Sequence, residues 1–491
     1  MAVLIAPERN HAYAAPNGNY TSDSYGYVNV TDGTDLAYFQ ALWDDNPDTA
    51  REMAGRAIQR PNVLQSRVAL LGDSITEQNT YYPSGGIINQ GRGYWTWAQI
   101  LSGQRLYYQP SDNYGVASDT IALASARVST VIRSGAKICV VEIGTNDIMN
   151  GRTASQVQAD LCNLILRPLM SAGVLPLLLT ILPRGSMGAT YNSTWGKVNS
   201  WLRDLGLGRP DLLSAAGLPY APIVVDPNDY IEDKAQSTLN PINAYTRDQT
   251  HPTGLGAFWI GKAMSDVITA IFPPRPTRAV SPADVYNATN NPAGNMTTRG
   301  ALLGTSGGNT TANGVTPTGS VATGWGAQRG FGNSVATMTM SKENPRTDGP
   351  NSGERQVMDV SLNAGASAYE NYVLQLQANI AITAGQQFYA ECGYEVTGYQ
   401  GSGSPAGLIG CYLHLFTGGG GTGQYVDDGG PDTANIAAIP VSHKGVLRTP
   451  ILTAATGNTA MNVNLGLSLI GTQNSSARVY WSDLMIRPVS L

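Results

Sequence analysis

The chain has 491 residues, enough for two or three domains. Only 13% of them are charged and 56 are glycine, a balance that suits turn-rich β structure better than a helical protein. The net charge of −5 argues against a nucleic-acid partner, and the longest apolar run, Val174–Leu182, is too short to span a bilayer.

Residues 1–65 are polar and rich in Tyr, Asp, Asn and Gly, with a short helical candidate near Asp48–Gln59. They read as an extension of unassigned role. The opening MAVLIAPERN lacks a basic n-region, so no signal peptide is expected. The location is left open between virion-associated and cytoplasmic.

Residues 66–275 alternate apolar strands with amphipathic helices. Strands are predicted at Val68–Leu71, Ile138–Ile143, Leu175–Ile181 and Ile223–Val225, with a weaker candidate at Leu106–Tyr108. Helices are predicted at Ser118–Arg133, Ala154–Ser171, Trp195–Gly206 and Gly254–Ile271. Alternation at this spacing implies a parallel sheet covered on both faces. In such sheets, sites form at the C-terminal strand ends. The Pro-rich stretch Phe272–Thr277 marks an expected boundary. Beyond it, residues 280–491 carry short alternating runs at Val357–Leu362, Tyr372–Ile380, Gln387–Val396, Leu408–Phe416, Met461–Leu469 and Arg478–Ile486. These predict an antiparallel, jelly-roll-like β-sandwich, autonomous and free of catalytic residues.

The chemistry sits in four short blocks: Gly72-Asp73-Ser74-Ile75, Asn113-Tyr114-Gly115, Gly144-Thr145-Asn146-Asp147 and Asp248-Gln249-Thr250-His251-Pro252. A serine hydroxyl attacks only when a base takes its proton. Ser74 follows a predicted strand, where its Oγ can be exposed; read alone, it serves equally as a helix N-cap. His251 is the one histidine of the α/β stretch, the others being His11, His414 and His443. Asp248, three residues earlier, can orient the ring through Nδ1. The N–H groups of Ser74 and Gly115 and the amide of Asn146 are candidate donors to an oxyanion, worth about 3–4 kcal/mol each. Asp73 and Asp147 read as turn residues that bind backbone amides.

These blocks resemble, in this order, the SGNH hydrolase superfamily, the GDSL-type esterases, with Ile75 in place of the commoner Leu. The resemblance covers residues 66–275. It implies a flavodoxin-like three-layer α/β/α fold, Ser74 as nucleophile, His251 as base and Asp248 as its orienter. It implies an oxyanion hole of Ser74, Gly115 and Asn146, and neither metal nor cofactor. The layout, an N-terminal piece, an esterase and a β module, is similar to phage tail-spike carbohydrate deacetylases. That likeness implies removal of acetyl groups from a polysaccharide or small ester by a homo-oligomer, a trimer if tail-spike-like. Trp325 and the tyrosines from Tyr394 to Tyr399 are candidates to stack on sugar, with burial in the core as the commoner role of such rings. A general carboxylesterase or lipase, and a non-enzymatic tail or receptor-binding protein, are the alternatives. The cysteines Cys139, Cys162, Cys392 and Cys411 lack metal-type spacing and read as free thiols, though Cys392 and Cys411 can pair.

Overall fold

The computed structural model describes residues 2–5, 12–21, 27–35, 67–82, 86–235, 240–275, 280–343, 353–401, 403–418, 420–425 and 437–489. The helical candidate near Asp48–Gln59 lies outside the described residues.

The first large unit is a parallel sheet of five strands. Across it run Ile223–Val225, Leu175–Leu179, Ile138–Glu142, Val68–Gly72 and Asn113–Gly115. Numbered along the chain, that order is 5-4-3-1-2, the doubly wound arrangement of flavodoxin-like sheets. Side chains alternate between the faces as the pleat requires. Ala69, Leu71, Cys139 and Val141 pack with Ile165, Leu166 and Val198 on one side. Val68, Leu70, Ile138 and Val140 pack with Trp95, Ile260 and Met264 on the other. Helices therefore cover both faces, giving three layers.

Several elements differ from expectation. Leu106–Tyr108 is not a strand; only Tyr107 bridges to Arg67. The edge strand is Asn113–Gly115, anchored where the Arg67 guanidinium grips both oxygens of Asp112 at 2.8 and 2.6 Å. The helix expected over 118–133 is two, Ile121–Ser125 and Val128–Arg133. Arg127, at the break, donates to Tyr114 O at 3.0 Å and pairs with Asp119. The expected helix Ala154–Ser171 is continuous but widens to a π-helix over Leu161–Leu166. A further helix, Tyr94–Leu101, has all but its last residue buried and so shows no polar face to read.

The second unit consists of two facing sheets. One holds nine strands, in the order Ser306–Asn309, Val321–Phe331, Tyr369–Leu376, Ala460–Ile470, Leu408–Thr417, Gly420–Tyr425, Gly86–Gln90 and Thr80–Tyr81, with Ile380–Ala381 beside Ala460–Ile470. The other holds seven, in the order Thr318–Gly319, Ala336–Glu343, Arg355–Leu362, Ser475–Pro488, Gln387–Thr397 and His443–Arg448, with Leu452–Thr453 beside Gln387–Thr397. Pairing is mainly antiparallel, with parallel pairs at Ser306–Asn309/Val321–Phe331, Thr318–Gly319/Ala336–Glu343 and Gly420–Tyr425/Gly86–Gln90. Leu465, Leu467, Leu413, Tyr372, Val360, Phe388 and Val479 meet in one core.

The expected boundary at residues 275–280 is not a seam between separate cores. The antiparallel strands Thr80–Tyr81 and Gly86–Gln90, from the α/β stretch, are the last two strands of the nine-stranded sheet. Trp97, Ile100, Leu255 and Phe258 belong to the same apolar cluster as the sandwich interior. His443 is wedged among the rings of Trp97, Phe258 and Tyr394 at centroid distances of 5.8, 5.3 and 5.6 Å. A Cβ on Gly445 would stand 2.5 Å from Ile100 O, so only glycine allows this approach.

Trp325 and Tyr394 are fully or almost fully buried and face the core, which removes them as sugar platforms. Tyr399 is half-buried. All four cysteines are free and buried. Burial pushes the Cys392 and Cys411 thiols far above the ordinary range.

Candidate active site

Ser74 opens the short helix Ser74–Glu77 immediately after the strand Val68–Gly72. Asp73 caps it: its Oδ1 accepts the N–H of Ile75 at 3.0 Å. Two glycines make the turn fit. A Cβ on Gly72 would lie 2.2 Å from Glu142 O, and one on Gly115 would lie 2.3 Å from Glu77 N. The edge strand can therefore press against the backbone that carries Ser74.

His251 and Asp248 come from the loop before helix Gly254–Ile271. Gln249 takes the left-handed region, with φ at 65°. That tight turn folds Asp248 back on the residues after it. Its Oδ1 accepts from Thr250 N at 3.1 Å and from His251 N at 2.7 Å. Arg247 N donates to His251 O at 3.0 Å and closes the loop. Thr253 then caps the helix through Gly256 N.

The three side chains form one hydrogen-bonded line. Ser74 Oγ lies 2.8 Å from His251 Nε2, and His251 Nδ1 lies 2.7 Å from Asp248 Oδ2. With a proton on Nδ1 donated to the carboxylate, Nε2 is left as an acceptor for the serine hydroxyl; this tautomer follows from the network. Burial alone would raise the Asp248 pKa, but the backbone and ring donors of His251 outweigh it and hold the carboxyl below its ordinary range.

The proposed oxyanion donors lie nearby. Gly115 lines the same cleft as Ser74 and His251, and its N–H donates to Asn113 Oδ1 at 3.0 Å. Asn146 lies in the short helix Thr145–Met149 that follows the neighbouring strand Ile138–Glu142, and its Nδ2 donates to Asp119 O at 2.9 Å. It is not among the residues that line the cleft. Strands Val68–Gly72 and Ile138–Glu142 flank the point where strand order reverses, the place where doubly wound sheets open a crevice. Asp147 accepts Ile121 N through both oxygens, at 3.3 and 3.0 Å, a backbone-binding role as expected.

Sequence reasoning missed Glu142, the residue paired with Gly72 across the sheet. It is 1% exposed and Asp73 is 0% exposed, and no cation pairs with either among the described residues. Asp73 Oδ2 and both Glu142 oxygens lack any other donor. Burial, above all, raises both pKa values, Asp73 to about 7, with the charges of Asp119 and Asp147 adding to it. The two carboxyls are best satisfied by sharing a proton between them. An acidic residue inside the otherwise apolar strand Ile138–Glu142 was the available signal. Also missed were Tyr81, Tyr82, Gln78, Gln90 and Arg247, which complete a cleft of about 450 Å³.

Residues 70–257 match the model of the GDSL-like lipase/acylhydrolase family. This chain carries a GDSL-like lipase/acylhydrolase domain. No curated protein matches the chain. Among solved structures it is similar to a member of the lipolytic protein G-D-S-L family from Veillonella parvula, at 16% identity, 41% of this chain, 98% of the other and a TM-score of 0.31. A GDSL-like lipase from Bacteroides thetaiotaomicron gives 15% identity, 46% and 98% coverage and a TM-score of 0.31. A carbohydrate esterase family 3 structure from Talaromyces cellulolyticus gives 21% identity, 42% and 97% coverage and a TM-score of 0.27. Among the described residues, no helix of this hydrolase is long and apolar enough to cross a membrane.

Proposed function

We propose that the chain is a serine-dependent carboxylic ester hydrolase that removes short acyl groups, acetyl above all, from a carbohydrate. The observation that carries the reading is the unbroken line from Ser74 Oγ through the His251 ring to Asp248, at 2.8 and 2.7 Å. His251 Nε2 takes the hydroxyl proton as Oγ bonds to the ester carbonyl carbon. The negative charge that develops on the carbonyl oxygen is met by the N–H groups of Ser74 and Gly115 and by Asn146. A charged oxyanion is a stronger acceptor than the neutral Asn113 Oδ1 that holds Gly115 N–H. Collapse breaks the C–O bond, and His251 returns the proton to the leaving alcohol. Water, deprotonated by the same ring, then releases the acid and restores Ser74.

A short acyl group is favoured by the polar side chains that line the cleft, Glu77, Gln78, Gln90 and Arg247. The tail-spike-like, trimeric setting extends this reading on the layout of the chain alone; sedimentation of the full chain as a monomer would remove it.

Ser74→Ala is the decisive variant. Its turnover of ethyl acetate should fall by about three orders of magnitude or more, and a serine-directed phosphonate should label Ser74. An active Ser74→Ala protein, or label on another residue, rejects the reading.

A further inference from the structure

Part of the lining of the cleft comes from the paired strands Thr80–Tyr81 and Gly86–Gln90. Two tyrosines stand there, Tyr81 at 45% and Tyr82 at 60% exposure, and both line the cleft that contains Ser74. Exposed neighbouring aromatics beside a nucleophile need an explanation, since their burial would be favourable.

The backbone that carries Tyr81 is held in place, and the Tyr82 ring is tied at its hydroxyl. Tyr81 pairs with Ile88 on the neighbouring strand. That strand, Gly86–Gln90, is in turn paired with Gly420–Tyr425 of the nine-stranded sheet. The Tyr82 hydroxyl donates to Pro110 O at 3.2 Å, which ties that ring to the segment leading into Gly115. The Thr80 hydroxyl meets the Tyr108 hydroxyl at 3.0 Å beneath them. A pre-ordered aromatic surface binds with little conformational cost.

Around the rings the lining is polar: Glu77, Gln78, Gln90 and Arg247. Gln78 donates through Nε2 to Arg92 O at 3.0 Å, which leaves Oε1 as an acceptor. That Oε1 is buried and has no protein partner. A long acyl chain would gain little from such a lining. A pyranose matches it, because its C–H face stacks on an aromatic ring while its hydroxyls hydrogen-bond around the edge.

We propose that Tyr81 and Tyr82 form the subsite for the sugar ring that carries the scissile acyl group, with the polar lining of the cleft around its edge. This rests on the serine-esterase reading and adds the alcohol side of the substrate to it. It also gives the C-terminal sheet a part in recognition, because that sheet fixes these paired strands.

The test compares two substrates on the full chain: ethyl acetate, which has no ring, and a mono-acetylated methyl pyranoside. The readout is the ratio of their kcat/KM values. In the Tyr81→Ala/Tyr82→Ala variant this ratio should fall about tenfold, through KM on the sugar ester, the size expected for lost aromatic contact. Tyr82→Phe, which keeps the ring, should retain most of the ratio. An unchanged ratio in the double alanine variant overturns the proposal, as does a parent protein that shows no preference for the sugar ester. In both cases hydrolysis of ethyl acetate and phosphonate labelling of Ser74 would leave the esterase reading intact. Failure of those two in the parent would reject the esterase reading and the subsite together.

Discussion

The buried glutamates of the β region and the buried acids beneath Ser74 are handled in opposite ways. In the β region, Glu370 and its partner Arg329 are both buried, and Tyr372, Asn333 and Ser334 complete the carboxylate's shell. Glu391 lies between Arg275 and Arg448. Burial pushes both glutamates up, yet these partners hold them below the ordinary carboxylate range. Beneath Ser74, by contrast, Asp73 and Glu142 have each other and no cation, and both are pushed up. A neutralised carboxylate fixes a fold and asks nothing more of its surroundings. An acid pair that must hold a proton is a strained arrangement, of the kind that persists where surrounding structure over-determines it. The difference sets a proton-holding acid pair at the Ser74 turn, while Asp112 and Asp119 of the same region keep arginine partners as the β-region glutamates do.

The support that the β region gives the α/β region is tested most severely by removing it. A chain ending at Phe272 would expose Trp97, Ile100, Leu255 and Phe258, and it would strip the partner strand from Gly86–Gln90. Burying such side chains is worth about 1.5–3 kcal/mol each, so their joint exposure is comparable to the whole stability of a domain. We expect that protein to be insoluble or unfolded by circular dichroism and inactive on ethyl acetate. This reverses the independence that the Pro-rich joint suggests from sequence. A soluble truncated chain with full activity would break the comparison, because the regions would then be separable after all.

The sequence made the hydrogen-bonded line of Ser74, His251 and Asp248 legible because each part lies within a short block. Asp248 and His251 are three residues apart, and Ser74 follows a strand whose five residues are all buried. The five-strand sheet was largely legible for the same reason, apolar runs of fixed length. What escaped was whatever depends on distant partners. Gly86–Gln90 shows no strand pattern of its own, and its partner Gly420–Tyr425 lies more than 300 residues later. Helix Tyr94–Leu101 is buried between two regions and has no amphipathic stripe to reveal it. Trp325 and Tyr394 looked available to sugar because burial by an opposing sheet is not a local property.

The acid pair gives the next largest expected effect. Asp73 titrates at about 7 in the folded chain against an ordinary 3.8. Between those values the folded state keeps a proton that the unfolded state releases. The stabilising contribution is therefore complete below about pH 4 and is lost as pH rises through about 7. Glu142→Gln should flatten this fall, since the amide can donate to Asp73 Oδ2 and needs no shared proton. Thermal unfolding at pH 5 and pH 8 reads the difference. A parent and variant with equal slopes would show that the pair does not share a proton.

The smallest expected effect lies at the junction and has the opposite sign. His443 is buried among Trp97, Phe258 and Tyr394, and burial lowers its pKa from 6.5 to about 4. The unfolded chain takes up a proton near pH 6.5 that the folded chain refuses. The contribution is therefore present above about pH 6.5 and is lost as pH falls through about 4. His414 is buried and lowered to about 4 as well, so the parent alone cannot apportion the loss. His443→Phe isolates it. Phenylalanine keeps the ring contacts and removes the titration, but it forfeits the 2.8 Å bond from Nδ1 to Val441 O, worth about 1 kcal/mol. At pH 7.5 the variant should be slightly less stable than the parent. By pH 4.5 the order should reverse, because only the parent must keep a neutral imidazole against the proton. If the variant stays below the parent by a constant margin across that range, acid does not act on the junction through His443, and the two regions are joined by packing alone.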